Sequence, residues 1–118
     1  MISKVLVAAS TKPLILSILM EGESYGYQII QRVKKLSGGK IKWSDGMLYP
    51  VLQRLEKEGL VTSRWRMSAG GRHRKYYNLM PKGEEALVRD MQEWQSVNSV
   101  LSELWQSTAA RSLQTERA

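Results

Sequence analysis

The chain has 118 residues, 42% apolar and 25% charged, with a formal net charge of +7 and no cysteine. That length and composition fit one folded domain with its own core, needing neither disulfides nor metal. The missing cysteines exclude a disulfide framework, a thiolate metal site and a cysteine nucleophile, and suit the cytoplasm, the expected location.

No apolar run approaches the ~20 residues that cross a bilayer, so no membrane partner is expected. The opening MISKVLVAASTKPLILSILM resembles a secretory signal only superficially. Ser10, Thr11, Lys12 and Pro13 interrupt it, and no small-residue cleavage site follows. It reads as two short core elements. Residues 2–9 form the first, and Pro13 opens the second in a first turn, where its missing N–H costs nothing. Leu14, Ile15, Leu16, Ile18 and Leu19 make the second element apolar nearly all round, hence buried.

Ser24 is the expected N-cap of the next helix, which runs to about Leu36 with Ile29, Ile30, Val33 and Leu36 inward. Gly26 in its first turn implies close approach of a neighbouring backbone. Gly38-Gly39 ends it. Ser44 caps a third helix reaching about Lys57, with Asp45 at its positive end. Leu48, Leu52 and Leu55 form its inward stripe. Gly46, Met47, Pro50, Gln53, Arg54 and Lys57 form the opposite face. Pro50 is anomalous inside a helix, since it removes an intrahelical bond.

A hairpin follows: residues 60–67 and 72–79 alternate in character around Ser68-Ala69-Gly70-Gly71. Val61, Trp65, Tyr77 and Leu79 are expected to face the body. The last helix starts near Pro81 and runs to about Gln106, leaving 107–118 as a polar tail. Leu87, Met91, Trp94, Leu101 and Trp105 lie on it at heptad spacing, and Asn98 fills the one polar gap, where it can fix register or oligomer state. Such a helix is about 39 Å long, against a radius of gyration near 12 Å for a domain of about 80 residues. It is therefore expected to leave those apolar residues, Leu87 included, exposed unless a partner covers them.

The charge is concentrated. Between Gly59 and Gly83 stand Arg64, Arg66, Arg72, Arg74, Lys75 and Lys82 with no acid, so the rest of the chain is nearly neutral. A focused patch of this kind steers toward a polyanion, with nucleic acid first. Three helices and then a hairpin is the order of a winged helix-turn-helix. The fold expected is therefore mainly α with a small β-hairpin. Residues 1–80 are the DNA-binding domain, 81–106 a C-terminal dimerisation helix, and the N-terminal helix contributes to the dimer. The third helix would enter the major groove while the basic hairpin, the wing, follows the phosphates.

PLILSILMEGESYGYQI (13–29), LYPVLQRLEKEGLV (48–61) and GGRHRKYYNLMPKG (70–83) together resemble the signature blocks of the PadR family of bacterial transcriptional regulators. The resemblance implies a homodimeric winged-helix repressor, and the single C-terminal helix is similar to the family's smaller subgroup. The family's Leu-Tyr-Pro falls on Leu48, Tyr49 and Pro50, which makes the proline a family feature. Met80 departs from the usual Thr and cannot cap, so the last helix should start more weakly by roughly 1 kcal/mol. The resemblance also implies a planar aromatic effector between two copies of Trp94; beside it Met91 and Val97 are expected to give adaptable apolar walls, and Asn98 and Gln95 hydrogen bonds at the rim.

The expected DNA-binding residues are Tyr25, Ser44, Gly46, Met47, Tyr49, Pro50, Gln53, Arg54, Lys57, Arg72, His73, Arg74 and Lys75. Tyr25 and Tyr49 are divided between packing and phosphate contact, and Tyr27 is assigned to packing. His73 reads as a phosphate or water contact rather than a metal ligand, because the chain has no second histidine. Trp94 and Trp105 are first of all dimer residues, alongside Leu87, Met91 and Leu101. The expected partners are a pseudo-palindromic duplex and a second copy, with no resident cofactor and no enzyme activity. A protein–protein adaptor on the same fold is the alternative, and it would not need the acid-free basic window.

Overall fold

The computed structural model describes residues 1–117, with side chains through Thr108. Its elements, in order, are α1 (Lys4–Met20), β1 (Ser24–Tyr25), α2 (Gly26–Leu36), α3 (Asp45–Lys57), β2 (Val61–Met67), β3 (His73–Leu79) and α4 (Pro81–Arg117). They divide into two compact units, Met1–Leu87 and the part from Val88 on. The three strands form an antiparallel sheet in the order β1-β3-β2.

The N-terminal segment is one helix, not two. Ser3 caps it, its hydroxyl accepting from the Leu6 amide at 3.2 Å, and Pro13 lies inside. Proline costs the helix one backbone bond. Just before it, the Ser10 and Thr11 hydroxyls both donate to the Val7 carbonyl, at 3.0 and 2.7 Å. A continuous rod lets Thr11, Ile15, Leu16, Ile18 and Leu19 all reach the core, which offsets the lost bond.

Ser24 is not a helix cap. It pairs with Tyr77 in β1, and Tyr25 takes the cap position of α2. The Gln28 side-chain oxygen accepts from the Tyr25 amide at 3.3 Å and from the Ser24 hydroxyl at 3.2 Å, securing strand and helix start together. The core unites Ile15, Leu16, Ile18 and Leu19 with Ile29, Val33, Trp43, Leu48, Leu52, Leu55, Leu60, Val61, Tyr77, Ala86 and Leu87.

Leu36, expected to face inward, is exposed at the last residue of α2. Leu87 corrects the expectation for the last helix: it is 3% exposed and belongs to the core of its own chain. Gly83 brings it there. A Cβ at Gly83 would collide with the Leu60 carbonyl, so the first turn of α4 lies directly on the start of β2. The Met80 amide also donates to that carbonyl, at 2.9 Å. α4 does not stop near Gln106 but continues to Arg117, since Ala, Arg, Leu, Gln and Glu in the polar tail are good helix formers.

Candidate nucleic-acid interface

α3 begins as its sequence dictates. The Ser44 hydroxyl accepts from the Met47 amide at 3.2 Å, and Asp45 sits in the first turn, where helix dipole and carboxylate attract. Leu48, Leu52 and Leu55 are fully buried and fix the helix's roll. That roll exposes Gly46, Tyr49, Pro50, Gln53, Arg54 and Lys57. The carbonyl that Pro50 frees is that of Gly46, on the exposed side of the helix.

Tyr49 is positioned by Gly26. A Cβ there would lie 2.6 Å from the Tyr49 hydroxyl, so the missing side chain of α2 is the seat of the α3 tyrosine. The close neighbour expected at Gly26 is therefore a side chain rather than a backbone. Tyr77 lies behind it, 1% exposed. Burial, then the nearby Glu56 carboxylate and Tyr49, push the Tyr77 hydroxyl above its ordinary pKa.

The wing is held at its tip by Ser68, whose amide donates to the Arg72 carbonyl at 2.7 Å and whose carbonyl accepts from the Gly71 amide at 2.9 Å. Gly71 has a φ of 81°, a conformation that favours glycine. Between wing and helices runs a groove of about 810 Å³, lined by Tyr25, Tyr27, Tyr49, Gln53, Trp65, Arg72, His73, Arg74, Lys75 and Tyr77. It gathers residues from α2, α3 and both wing strands, and no carboxylate lines it.

Arg74 is fixed within this wall. Its guanidinium donates to the Tyr25 hydroxyl at 2.8 Å and lies 4.4 Å from that ring's centroid. The Tyr25 ring meets Tyr76 edge-on at 5.3 Å, and Arg66 stacks on Tyr76 at 4.4 Å. Alternating cations and rings stiffen the sheet where the wing leaves it.

The structure thus brings Tyr25, Tyr49, Gln53, Arg72, His73, Arg74 and Lys75 to one groove. Pro50, Gln53, Arg54 and Lys57 line an adjacent depression of about 520 Å³. Ser44 and Gly46 stay exposed at the start of α3.

Met47 departs from its expected place. It is half-buried against the core and lines an apolar cavity with Trp43, Val51 and the start of α1, because its angle on the helix lies next to the buried stripe. Trp65, expected to face the body, is 65% exposed. It shares a strand face with Val61, but the body ends below it. Tyr27, assigned to packing, is 61% exposed on the groove wall. The basic window is also not free of acid in space: Glu23 pairs with Arg64 at 3.0 Å and with Arg66.

On α4 the residues assigned to an effector are open, and so, Leu87 apart, are most of those assigned to a dimer seam. Met91, Trp94, Val97 and Trp105 are exposed, as is Asn98, and Leu101 is half-buried. With Val88, Val100 and Leu104 they cover an arc of roughly 240° at the helical period, wider than a two-residue heptad seam. Among the described residues no helix is long and apolar enough to cross a membrane.

Residues 15–89 match the model of the transcriptional regulator PadR-like family. The chain is 30% identical over 88 residues to an uncharacterised protein of Lysinibacillus sphaericus, an alignment spanning 75% of this chain and 81% of that protein. It is 39% identical over 70 residues to a transcriptional regulator of Mycobacterium tuberculosis, covering 59% of this chain and 62% of that one. Among solved structures, a Clostridium thermocellum transcriptional regulator superposes with a TM-score of 0.79 at 28% identity, covering 87% of this chain and 97% of the other. A PadR-like regulator from Bacillus cereus does so at 0.78 and 31%, covering 87% and 98%. A winged helix followed by a long helix, with matching sequence through both units' junction, leads to one assignment: the chain belongs to the PadR-like family of transcriptional regulators.

Proposed function

We propose that this chain is a homodimeric, sequence-specific DNA-binding repressor of the cytoplasm, released from a pseudo-palindromic operator by a small planar aromatic effector. The observation that carries the DNA-binding reading is the groove. It joins Tyr49 and Gln53 of α3 to Arg72, His73, Arg74 and Lys75 of the wing, with no carboxylate in its wall. Wing cations hold phosphates and set register, while Gln53 reads a base edge, with adenine its best geometric match. Selecting genomic fragments with the purified protein tests this. Enrichment of inverted repeats is expected, and a bound pool no different from the input would contradict it.

Two apolar surfaces support the dimer. One is the stripe on α4. The other is the start of α1, where Val5 and Leu6 are exposed beside the cavity lined by Met1, Ile2, Val7, Trp43, Met47 and Val51. Trp94, exposed within the α4 stripe, gives the effector an aromatic face in each protomer. Met91 and Val97 add adaptable walls, and Asn98 a polar group. A ligand there changes DNA affinity only by its differential affinity for the two states of the dimer. Titrating wild type and Trp94→Ala with flat dyes, read by tryptophan fluorescence, tests this part. Quenching that needs Trp94 is expected. Equal quenching in both proteins would leave Trp94 as a dimer residue only.

A further inference from the structure

Resting on the DNA-binding reading, we infer that Glu23 withholds Arg64 and Arg66 from DNA, so the wing meets phosphates with Arg72, Arg74 and Lys75 alone. The hairpin's register puts Arg64, Arg66 and Arg74 on one face and Lys75 on the other, and of those three arginines Arg74 is the one held on the groove wall, by Tyr25. Trp65 pairs with Lys75 and Met67 with His73 on one face, while Arg64 pairs with Tyr76 and Arg66 with Arg74 on the other. Glu23, in the turn before β1, serves that second face. Its carboxylate takes Arg64 Nη2 at 3.0 Å, the Asn78 amide at 3.4 Å, and Arg66. Arg66 is held twice, since its guanidinium also stacks 4.4 Å from the Tyr76 ring centroid. Neither Arg64 nor Arg66 lines the groove.

One carboxylate with three donors is a phosphate substitute supplied by the chain itself. An exposed ion pair adds little to stability. It does change how many counterions the protein can release from DNA, because an arginine already paired in the free protein has no net contact to gain. Each phosphate contact steepens the dependence of log affinity on log salt by about 0.9 and strengthens binding to every sequence alike. Two contacts fewer means weaker binding to unrelated DNA and a larger share of affinity resting on the groove. Glu23 is thus a positioning residue that sets the balance between general and sequence-specific binding.

The test is the salt dependence of binding to one duplex from the enriched pool and one unrelated duplex, for the full chain and its variants. Arg72→Ala should make the slope shallower by about 0.9, whereas Arg64→Ala with Arg66→Ala should leave the wild-type slope within about 0.3. Glu23→Gln should steepen it by up to about 1.8 on both duplexes. Adding Arg64→Ala and Arg66→Ala to Glu23→Gln should restore the wild-type slope. A loss near 1.8 from the two arginine changes in the wild-type background overturns the inference and leaves DNA binding intact. So does a Glu23→Gln protein that folds and keeps the wild-type slope. If Glu23→Gln does not fold, the arginine variants alone decide. A wild-type chain with no salt-dependent binding overturns both the inference and the reading it rests on.

Discussion

At the scale of single residues, contacts decide where side chains near the groove can sit. Gly83→Ala places a methyl group against the Leu60 carbonyl, where backbone must yield, and should destabilise the protein by about 2–3 kcal/mol in a denaturant melt. Gly26→Ala meets the far end of a side chain instead. It should cost less stability but displace Tyr49, and so weaken DNA binding more than folding. Met80→Thr should stabilise by about 1 kcal/mol, because a methionine side chain just before α4 cannot cap its first amides and threonine can.

Tyr77 makes stability depend on pH. Its folded pKa lies above the unfolded value near 10, so its contribution is complete below that pH and is lost as pH rises through the folded value. Tyr77→Phe should flatten the alkaline limb of the melting profile. Glu21 acts at the other end. The hydrogen bonds from Arg32, at 3.0 and 2.6 Å, hold its carboxyl below the usual range, so its small, solvent-screened contribution is present at neutral pH and fades as pH falls through that depressed value.

Elements explain which parts of the fold could be read from residue order alone. The bounds and buried stripe of α3 were legible, because a serine cap, an acidic first turn and leucines at 48, 52 and 55 agree with one another, whereas Met47, beside that stripe, was misplaced on the outward face. The hairpin was legible to within a residue at each end. β1 was not, since two residues carry no periodicity and only their pairing with Tyr76 and Tyr77 defines them. The unbroken α1 was hidden by Pro13, a local signal overridden by burial of the residues after it. In the groove, the wing cations, Tyr49 and Gln53 were readable from charge and helix angle. Trp65 was not, because alternation gives a strand's face but not the height at which the body stops covering it. Tyr27 was readable in principle, lying about 200° from Ile29 on the α2 wheel, where no core residue belongs. Glu23 needed the fold, being 41 residues from Arg64 in the chain. For α3 itself, Gln53→Ala should shift preference by roughly 1–3 kcal/mol at a single base pair. An equal loss on random DNA would place Gln53 on the backbone instead.

For the whole molecule, the open stripe on α4 and the exposed start of α1 are the surfaces that the proposed dimer would cover, a second copy offering matching patches by symmetry. Sedimentation at micromolar concentration should give a dimer, and Leu101→Glu should shift it toward monomer. A wild-type monomer would leave the α4 stripe unexplained. In the proposed complex DNA lies in the groove between the wing and α3. Amide hydrogen exchange with and without an enriched duplex tests it most directly. New protection is expected in the wing between Arg66 and Lys75 and in the first turn of α3, with the α2–α3 connection around Gly38-Gly39 unchanged. DNA-dependent protection confined to that connection or to α4, with the wing exchanging as freely as before, would contradict it.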